Sequence, residues 1–180
     1  MTKVLLLVAH PDFKNSVGNK TITNALAELP NVNVRNLADL YPDFKIDVAA
    51  EQKALLESDL IILQYPIYWY NMPPILKQWF DKVFAYGFAF GDGAKLTNKT
   101  IMASVTAGSP ENSYPEGEMK RIMLPVKASA EFCKINYLEP LASYGIYSSP
   151  NQDEASKASV LASAQAHINK LITIITNYKF

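Results

Sequence analysis

Only one cysteine, Cys133, occurs in the 180 residues. That excludes an intramolecular disulfide and any zinc cage built on cysteine pairs, and it fits a reducing compartment. An excess of charge of either sign is also lacking. Seventeen basic and seventeen acidic side chains cancel, so net charge points neither to nucleic acid nor to an anionic membrane. No apolar run approaches the ~18 residues of a membrane span. The apolar stretch at residues 4–9 is too short for a leader peptide with its cleavage site. The expectation is a cytoplasmic protein with one domain over residues 1–180 and no nucleic-acid partner. With only two histidines and no serine in a G-x-S-x-G elbow, a nucleophilic triad has no material. The dinucleotide fingerprint G-x-G-x-x-G and the phosphate loop G-x-x-x-x-G-K-[ST] are both absent. Asp12, Glu111, Glu116 and Glu118 form no metal-ligand pattern, so no metal is expected.

What is present is a core-forming composition, 49% apolar and 19% charged, arranged as alternating strands and helices. Residues 4–9 and 60–63 are short apolar runs of the kind buried on both faces of a parallel sheet, and residues 100–106 (TIMASVT) read as a further strand. Residues 32–37 alternate as a strand nearer an edge, and residues 137–146 hold a fifth strand partly obscured by Pro140. Helical spacing follows Ser16, a good N-cap, and recurs over 48–58, from Pro74 to Val83, over 124–135 and from Asp153 to Ile175. Five alternations predict an α/β doubly wound sandwich of flavodoxin type with a five-stranded parallel sheet.

In such a fold the loops at the carboxyl edge of the sheet gather round a ligand. Three are expected there. The first runs from His10 to Asn19 and puts Ser16, Val17, Gly18 and Asn19 at a helix start, where free N–H groups and the dipole favour a phosphate. Ordinary capping explains the same residues. The second, residues 64–73, carries Tyr65, Tyr68, Trp69 and Tyr70 beside Pro66 and offers main-chain N–H groups at Ile67, Tyr68, Trp69 and Tyr70. These rings suit a flat heterocycle, or equally a core or subunit interface. The third, Thr106-Ala107-Gly108-Ser109, offers hydroxyls, a close backbone approach and more N–H groups. A phosphate binder, an aromatic floor and a polar clamp together describe a flavin nucleotide site. His10 is placed to contact that cofactor or to make a loop hydrogen bond, and His167 reads as a structural or surface residue. Cys133, on a helical pattern, has no redox role. The ring-rich stretch 84–91 covers a substrate pocket or meets a partner subunit.

The run Gln64-Tyr65-Pro66-Ile67-Tyr68-Trp69-Tyr70, followed by Pro73, Leu76-Lys77, Trp79-Phe80-Asp81-Lys82-Val83-Phe84 and Gly87-Phe88-Ala89-Phe90, closely resembles the flavodoxin-like NAD(P)H:quinone oxidoreductases. Val8-Ala9-His10-Pro11 with Ser16 and Asn19, and Thr106-Ala107-Gly108 followed by Tyr114, support the match. The segment Asp39-Leu40-Tyr41-Pro42-Asp43-Phe44, with Ile46-Asp47, is similar to the short bacterial members, among them the ancillary proteins of glutathione-gated potassium efflux systems. The resemblance implies a homodimer with a flavin at each of two interface sites, FMN in the short members and FAD in the longer ones. It implies hydride transfer from NAD(P)H through the flavin to a quinone-like acceptor, the two substrates taking turns in one pocket. Carried onto this chain, it assigns the flavin phosphate to His10, Ser16, Val17, Gly18 and Asn19. It assigns the isoalloxazine to Pro66, Ile67, Tyr68, Trp69 and Tyr70, and its pyrimidine side to Thr106, Ala107, Gly108 and Ser109. Tyr114 takes the charge-stabilising catalytic role, and Phe88 and Phe90 wall the neighbouring subunit's substrate pocket. The histidine that partners the tyrosine in mammalian members has no counterpart in Tyr114-Pro115-Glu116-Gly117-Glu118, so Tyr114 or water must supply the proton. Two other readings follow: a regulatory subunit bound to a membrane transporter, and a flavodoxin-like electron carrier. The carrier ranks lower because the Thr- and Gly-rich phosphate loop and the acidic surface are missing.

Overall fold

The structure, a computed structural model, describes residues 1–149 and 151–178. Its strands are β1 (Val4–Val8), β2 (Val32–Asn36), β3 (Leu60–Pro66), β4 (Thr100–Thr106), β5 (Asn136–Tyr137) and β6 (Leu141–Ser143). Its helices are α1 (Gly18–Ala27), α2 (Leu37–Leu40), α3 (Val48–Leu56), α4 (Pro74–Val83), α5 (Glu118–Phe132) and α6 (Glu154–Asn177). All pairings are parallel and the order is β2-β1-β3-β4-β5, with β6 also on β4. This is the flavodoxin-like order, as the alternation of elements predicts.

Two departures concern the far edge and α5. The fifth strand is split into β5, beside Thr100 and Ile101, and β6, beside Ser104 to Thr106. Pro140 lies between them and has no N–H for the ladder, so the chain leaves the sheet there and rejoins it. Helix α5 begins at Glu118, six residues before the expected 124, after Gly117 turns the chain at φ 75°. It carries Pro125 within it, which made the first half unreadable as helix.

The side-chain alternation of the central strands sorts the core into two layers. Leu5, Leu7, Ile61, Leu63, Ile101 and Ala103 pack against α3, α4 and α5; Val4, Leu6, Leu60, Ile62 and Met102 pack against α1 and α6. Helix α4 buries Ile75, Leu76, Trp79, Phe80 and Val83, the stripe its spacing predicts. One buried charge holds the first layer together. Glu51, fully buried on α3, accepts from Arg35 Nε at 2.8 Å, Tyr41 Oη at 2.6 Å and Trp79 Nε1 at 2.8 Å. Tyr41, just after α2, is a buried link between β2 and α3.

Helix α1 packs on one face of the sheet and α4 on the other, although β1 and β3, the strands before them, are neighbours. The loops after β1 and β3 therefore diverge and open a crevice at the carboxyl edge, the usual ligand position of this architecture. Among the described residues, no helix is long and apolar enough to cross a membrane.

Candidate functional site

The crevice is a cavity of about 520 Å³. Its first wall is the loop after β1. Asp12 donates its N–H to His10 Nδ1 at 3.0 Å, so the neutral ring carries its proton on Nε2. Burial lowers the pKa of His10 against an opposing push from Asp12, which keeps the ring neutral at pH 7. Ser16, in extended conformation, accepts the Asn19 N–H at 3.2 Å. It thus makes the capping bond expected of it, although α1 is bounded by Val17. Val17 N–H donates to Ser148 Oγ at 2.8 Å. A Cβ added to Gly18 would lie 2.1 Å from Ile146 Cγ2, so only glycine lets this turn meet the opposite wall. The remaining first-turn N–H groups are the orphans that every helix start leaves.

The floor comes from β3 and the turn after it. Strand β3 runs on through Tyr65 and Pro66, three residues beyond the expected end. Tyr65 is therefore a core residue, not a loop ring: it is buried and its hydroxyl meets Met123 Sδ at 3.3 Å. Ile67 N–H donates to Thr106 O at 2.8 Å, and Tyr68 exchanges two hydrogen bonds with Asn71 at 3.1 Å. These bonds correct the expectation of four free donors, because Ile67 and Tyr68 have already spent theirs on the fold. Between Tyr68 and Asn71 the turn holds Trp69 at φ 48° and Tyr70 at φ 60°. His10 and Tyr68 meet edge to face, centroids 6.2 Å apart.

Of the residues expected at the site, His10, Ser16, Val17, Gly18, Asn19, Pro66, Ile67, Tyr68, Thr106 and Gly108 line this one cavity. Trp69 and Tyr70 stand out from its rim, Trp69 94% exposed. Tyr70 packs edge to face on Tyr114 at 6.4 Å, and Tyr114 is 5.4 Å from Tyr144, making a row of three rings. Ala107 is buried behind the wall, its N–H donated to Ser143 O at 2.8 Å, and Ser109 is exposed, its carbonyl accepting from Gly145 N–H. The two phenylalanines lie elsewhere. Phe88 is buried in its own chain's core, and Phe90 packs against Phe132 at 5.2 Å.

The opposite wall is the loop from β6 to α6, which the sequence reading did not include. Ile146, Tyr147, Ser148, Ser149 and Gln152 line the cavity from there, and Lys157 joins them from the start of α6. Gln152 is 8% exposed, and neither its Nε2 nor its Oε1 has a partner among the described residues. An amide buried without partners is costly, and a polar ligand in the cavity is the available remedy. The signal was legible: Tyr147-Ser148-Ser149 follows the last strand, and every strand-to-helix loop of this architecture reaches the same edge.

Three comparisons bear on the site. Residues 2–168 match a family model described as having the flavodoxin-like fold. The chain is 40% identical over 162 residues to the uncharacterized NAD(P)H oxidoreductase YdeQ of Bacillus subtilis, covering 87% of this chain and 82% of that one. It is 42% identical over 143 residues to the glutathione-regulated potassium-efflux system ancillary protein KefF of Klebsiella pneumoniae, covering 77% and 81%. Among solved structures, general stress protein 14 of Treponema denticola in complex with FMN superposes with TM-score 0.84 at 32% identity, covering 96% of this chain and 99% of that one. An NADPH-quinone reductase from P. pentosaceus superposes at 0.74 and 31%, covering 93% and 98%.

Proposed function

The chain belongs to the family of flavodoxin-like fold proteins matched over residues 2–168, and from that premise we propose that it is an FMN-dependent NAD(P)H oxidoreductase acting on quinones or similar acceptors. The observation that carries the reading is the cavity between β1 and β3. Its helix start is closed against Ile146 by a glycine without space for a Cβ, and on its far wall the Gln152 amide has no partner among the described residues. The residues fit a flavin mononucleotide. The start of α1 with Ser16 to Asn19 suits the phosphate, Pro66 to Tyr68 suit a flat ring, and Thr106 and Gly108 suit its polar edge.

FMN, when bound, supplies the two-electron hydride chemistry. The chain's own residues bind and orient. Neutral His10 offers an Nε2–H donor at the cavity wall. Lys157 brings a positive charge to the wall shared with Ser148 and Ser149, its ammonium 2.9 Å from Glu154. Tyr114, in the row with Tyr70 and Tyr144, is assigned the handling of the proton that accompanies reduction of the acceptor. A homodimer completes each site in this reading, by covering Trp69 and Tyr70 at the rim. A second role, as ancillary subunit of a potassium efflux transporter, is supported by the identity to the protein of that name. It is compatible with the first, and co-purification with a membrane transporter tests it.

The test of the enzyme reading is the visible spectrum of the purified protein, followed by anaerobic NADPH and then a quinone. The expected result is a yellow protein that NADPH bleaches and the quinone recolours, releasing FMN on denaturation. A colourless protein that takes up neither FMN nor FAD would overturn it. Light scattering in solution tests the dimer.

A further inference from the structure

A chain of buried hydrogen bonds crosses the α1/α6 side of the sheet and ends at the cavity. Gln64 and Ser104 are register partners on β3 and β4, and their side chains face the layer beneath α1 and α6. From the far end, Ser143 Oγ meets His167 Nδ1 at 2.8 Å, and His167 Nε2 meets Ser104 Oγ at 2.7 Å. Ser104 Oγ then donates to Gln64 Oε1 at 2.6 Å, and Gln64 Nε2 donates to Asn19 Oδ1 at 2.8 Å. Asn19 Nδ2 donates to Thr106 Oγ1 at 2.9 Å. His167, Ser104 and Gln64 are fully buried, whereas Asn19 and Thr106 line the cavity.

With the Gln64 and Asn19 amides oriented as they stand, proton counting gives the whole chain one direction. Ser104 has one hydroxyl proton and gives it to Gln64, so His167 Nε2 must be the donor in its contact with Ser104. A neutral imidazole has one N–H, so Nδ1 is bare and accepts the Ser143 hydroxyl proton. Burial, with a smaller push from Lys170, lowers the pKa of His167 to about 4, so the ring is neutral at pH 7. Every bond then donates in the same direction. Thr106 Oγ1 receives the Asn19 amide and keeps its own proton for the cavity. Turning both amides over would reverse every bond. Thr106 would then donate to Asn19 and present only lone pairs to the ligand, and the histidine proton would sit on Nδ1.

We propose that His167 is a positioning residue whose Nε2–H tautomer fixes Thr106 as a hydrogen-bond donor into the cavity, so that the site selects an acceptor atom at that edge of the ligand. A carbonyl oxygen or an unprotonated ring nitrogen of the flavin's polar edge meets this requirement, and an N–H at the same place does not. For its ligand the inference rests on the flavin reading; for its tautomer it does not.

Two measurements on the full-length protein test it. Long-range proton–nitrogen spectra of uniformly ¹⁵N-labelled protein at pH 7 report the His167 tautomer directly. Nε2–H supports the proposal, and Nδ1–H or an imidazolium overturns it, with or without a flavin. FMN titrations followed by fluorescence quenching then compare His167→Leu, His167→Gln, Thr106→Val and the double variant Thr106→Val/His167→Leu. His167→Leu and Thr106→Val are each expected to weaken binding about tenfold, the scale of one lost hydrogen bond. His167→Gln should recover most of the loss, because its amide can donate where Nε2 does. The double variant should bind no more weakly than Thr106→Val alone, since His167 acts through Thr106. Losses that multiply in the double variant would reduce His167 to a packing residue and overturn the inference. If wild type binds no flavin, the flavin reading fails and the tautomer alone decides.

Discussion

The imidazole of His167 makes a prediction about acid stability whose sign and size follow from its surroundings. Its pKa is lowered from 6.5 to about 4, chiefly because burial penalises the charged ring. Between those two values the unfolded chain holds a proton that the folded chain does not, so stability rises with pH across this window. The contribution is complete above pH 6.5 and is lost as pH falls through 4. The shift is worth about 3 kcal/mol at 1.36 kcal/mol per pH unit. His167→Gln removes the titration and keeps a donor. At pH 7.5 it should be less stable than wild type by about 1–2 kcal/mol, the cost of an imperfectly replaced buried hydrogen-bonding ring. On acidification wild type alone pays the protonation penalty, so the gap should close and the variant should match or exceed wild type near pH 4.5. Urea midpoints at pH 7.5, 6.5, 5.5 and 4.5 read the gap directly. His10 is shifted in the same direction by burial, but it is present in both proteins and cancels. Added salt should change the result little, because desolvation outweighs the Lys170 charge. A gap that stays constant from pH 7.5 to 4.5 would refute the reasoning.

Glu51→Ala should destabilise the protein by about 3–5 kcal/mol, measured by urea unfolding, because it strands Arg35, Tyr41 and Trp79 Nε1 around an empty acceptor position. Gly18→Ala should cost about 1–3 kcal/mol through overpacking against Ile146. In a titration it should also weaken FMN binding at least tenfold by narrowing the cavity. The Cys133 thiol is buried and its pKa is raised by burial, so a disulfide reagent should label it at the global unfolding rate and not before.

The fold was legible because residues 4–9 and 60–63 are short apolar runs of the kind a parallel sheet buries on both faces, and 100–106 reads as a strand between helical segments. The site was legible where a motif coincided with a strand end: Ser16 to Asn19, Pro66 to Tyr68 and Thr106 line one cavity. Three features were not. Tyr65 read as a loop ring because nothing local says that β3 continues to Pro66; its pairing with Val105 decides that. Gln152 looked like an ordinary loop residue, since an unpaired buried amide becomes visible only once burial is known. His167 read as structural or surface because a lone histidine on a helix says nothing of its partners, Ser104 and Ser143, which come from two different strands.

The turn at Trp69 and Tyr70 carries the clearest conflict between local preference and structure. Both residues sit at positive φ, where a side chain with a Cβ costs roughly 1–2 kcal/mol. A two-residue turn with positive φ at both central positions is best served by Asn-Gly. Trp69 recovers none of its cost by burial, being 94% exposed, and Tyr70 is also exposed. Strain of this kind persists where the side chain is wanted outside the fold, and both rings stand at the rim of the cavity, Tyr70 against Tyr114. Replacing the pair as Trp69→Asn/Tyr70→Gly should therefore raise unfolding stability by about 1–2 kcal/mol. The same change should weaken FMN binding and shift the protein towards the monomer. Thermal unfolding, flavin titration and light scattering on the one variant separate the two effects. A variant that is no more stable than wild type would mean that the turn is not strained, and one that keeps full affinity and assembly would mean that the rings serve neither ligand nor partner.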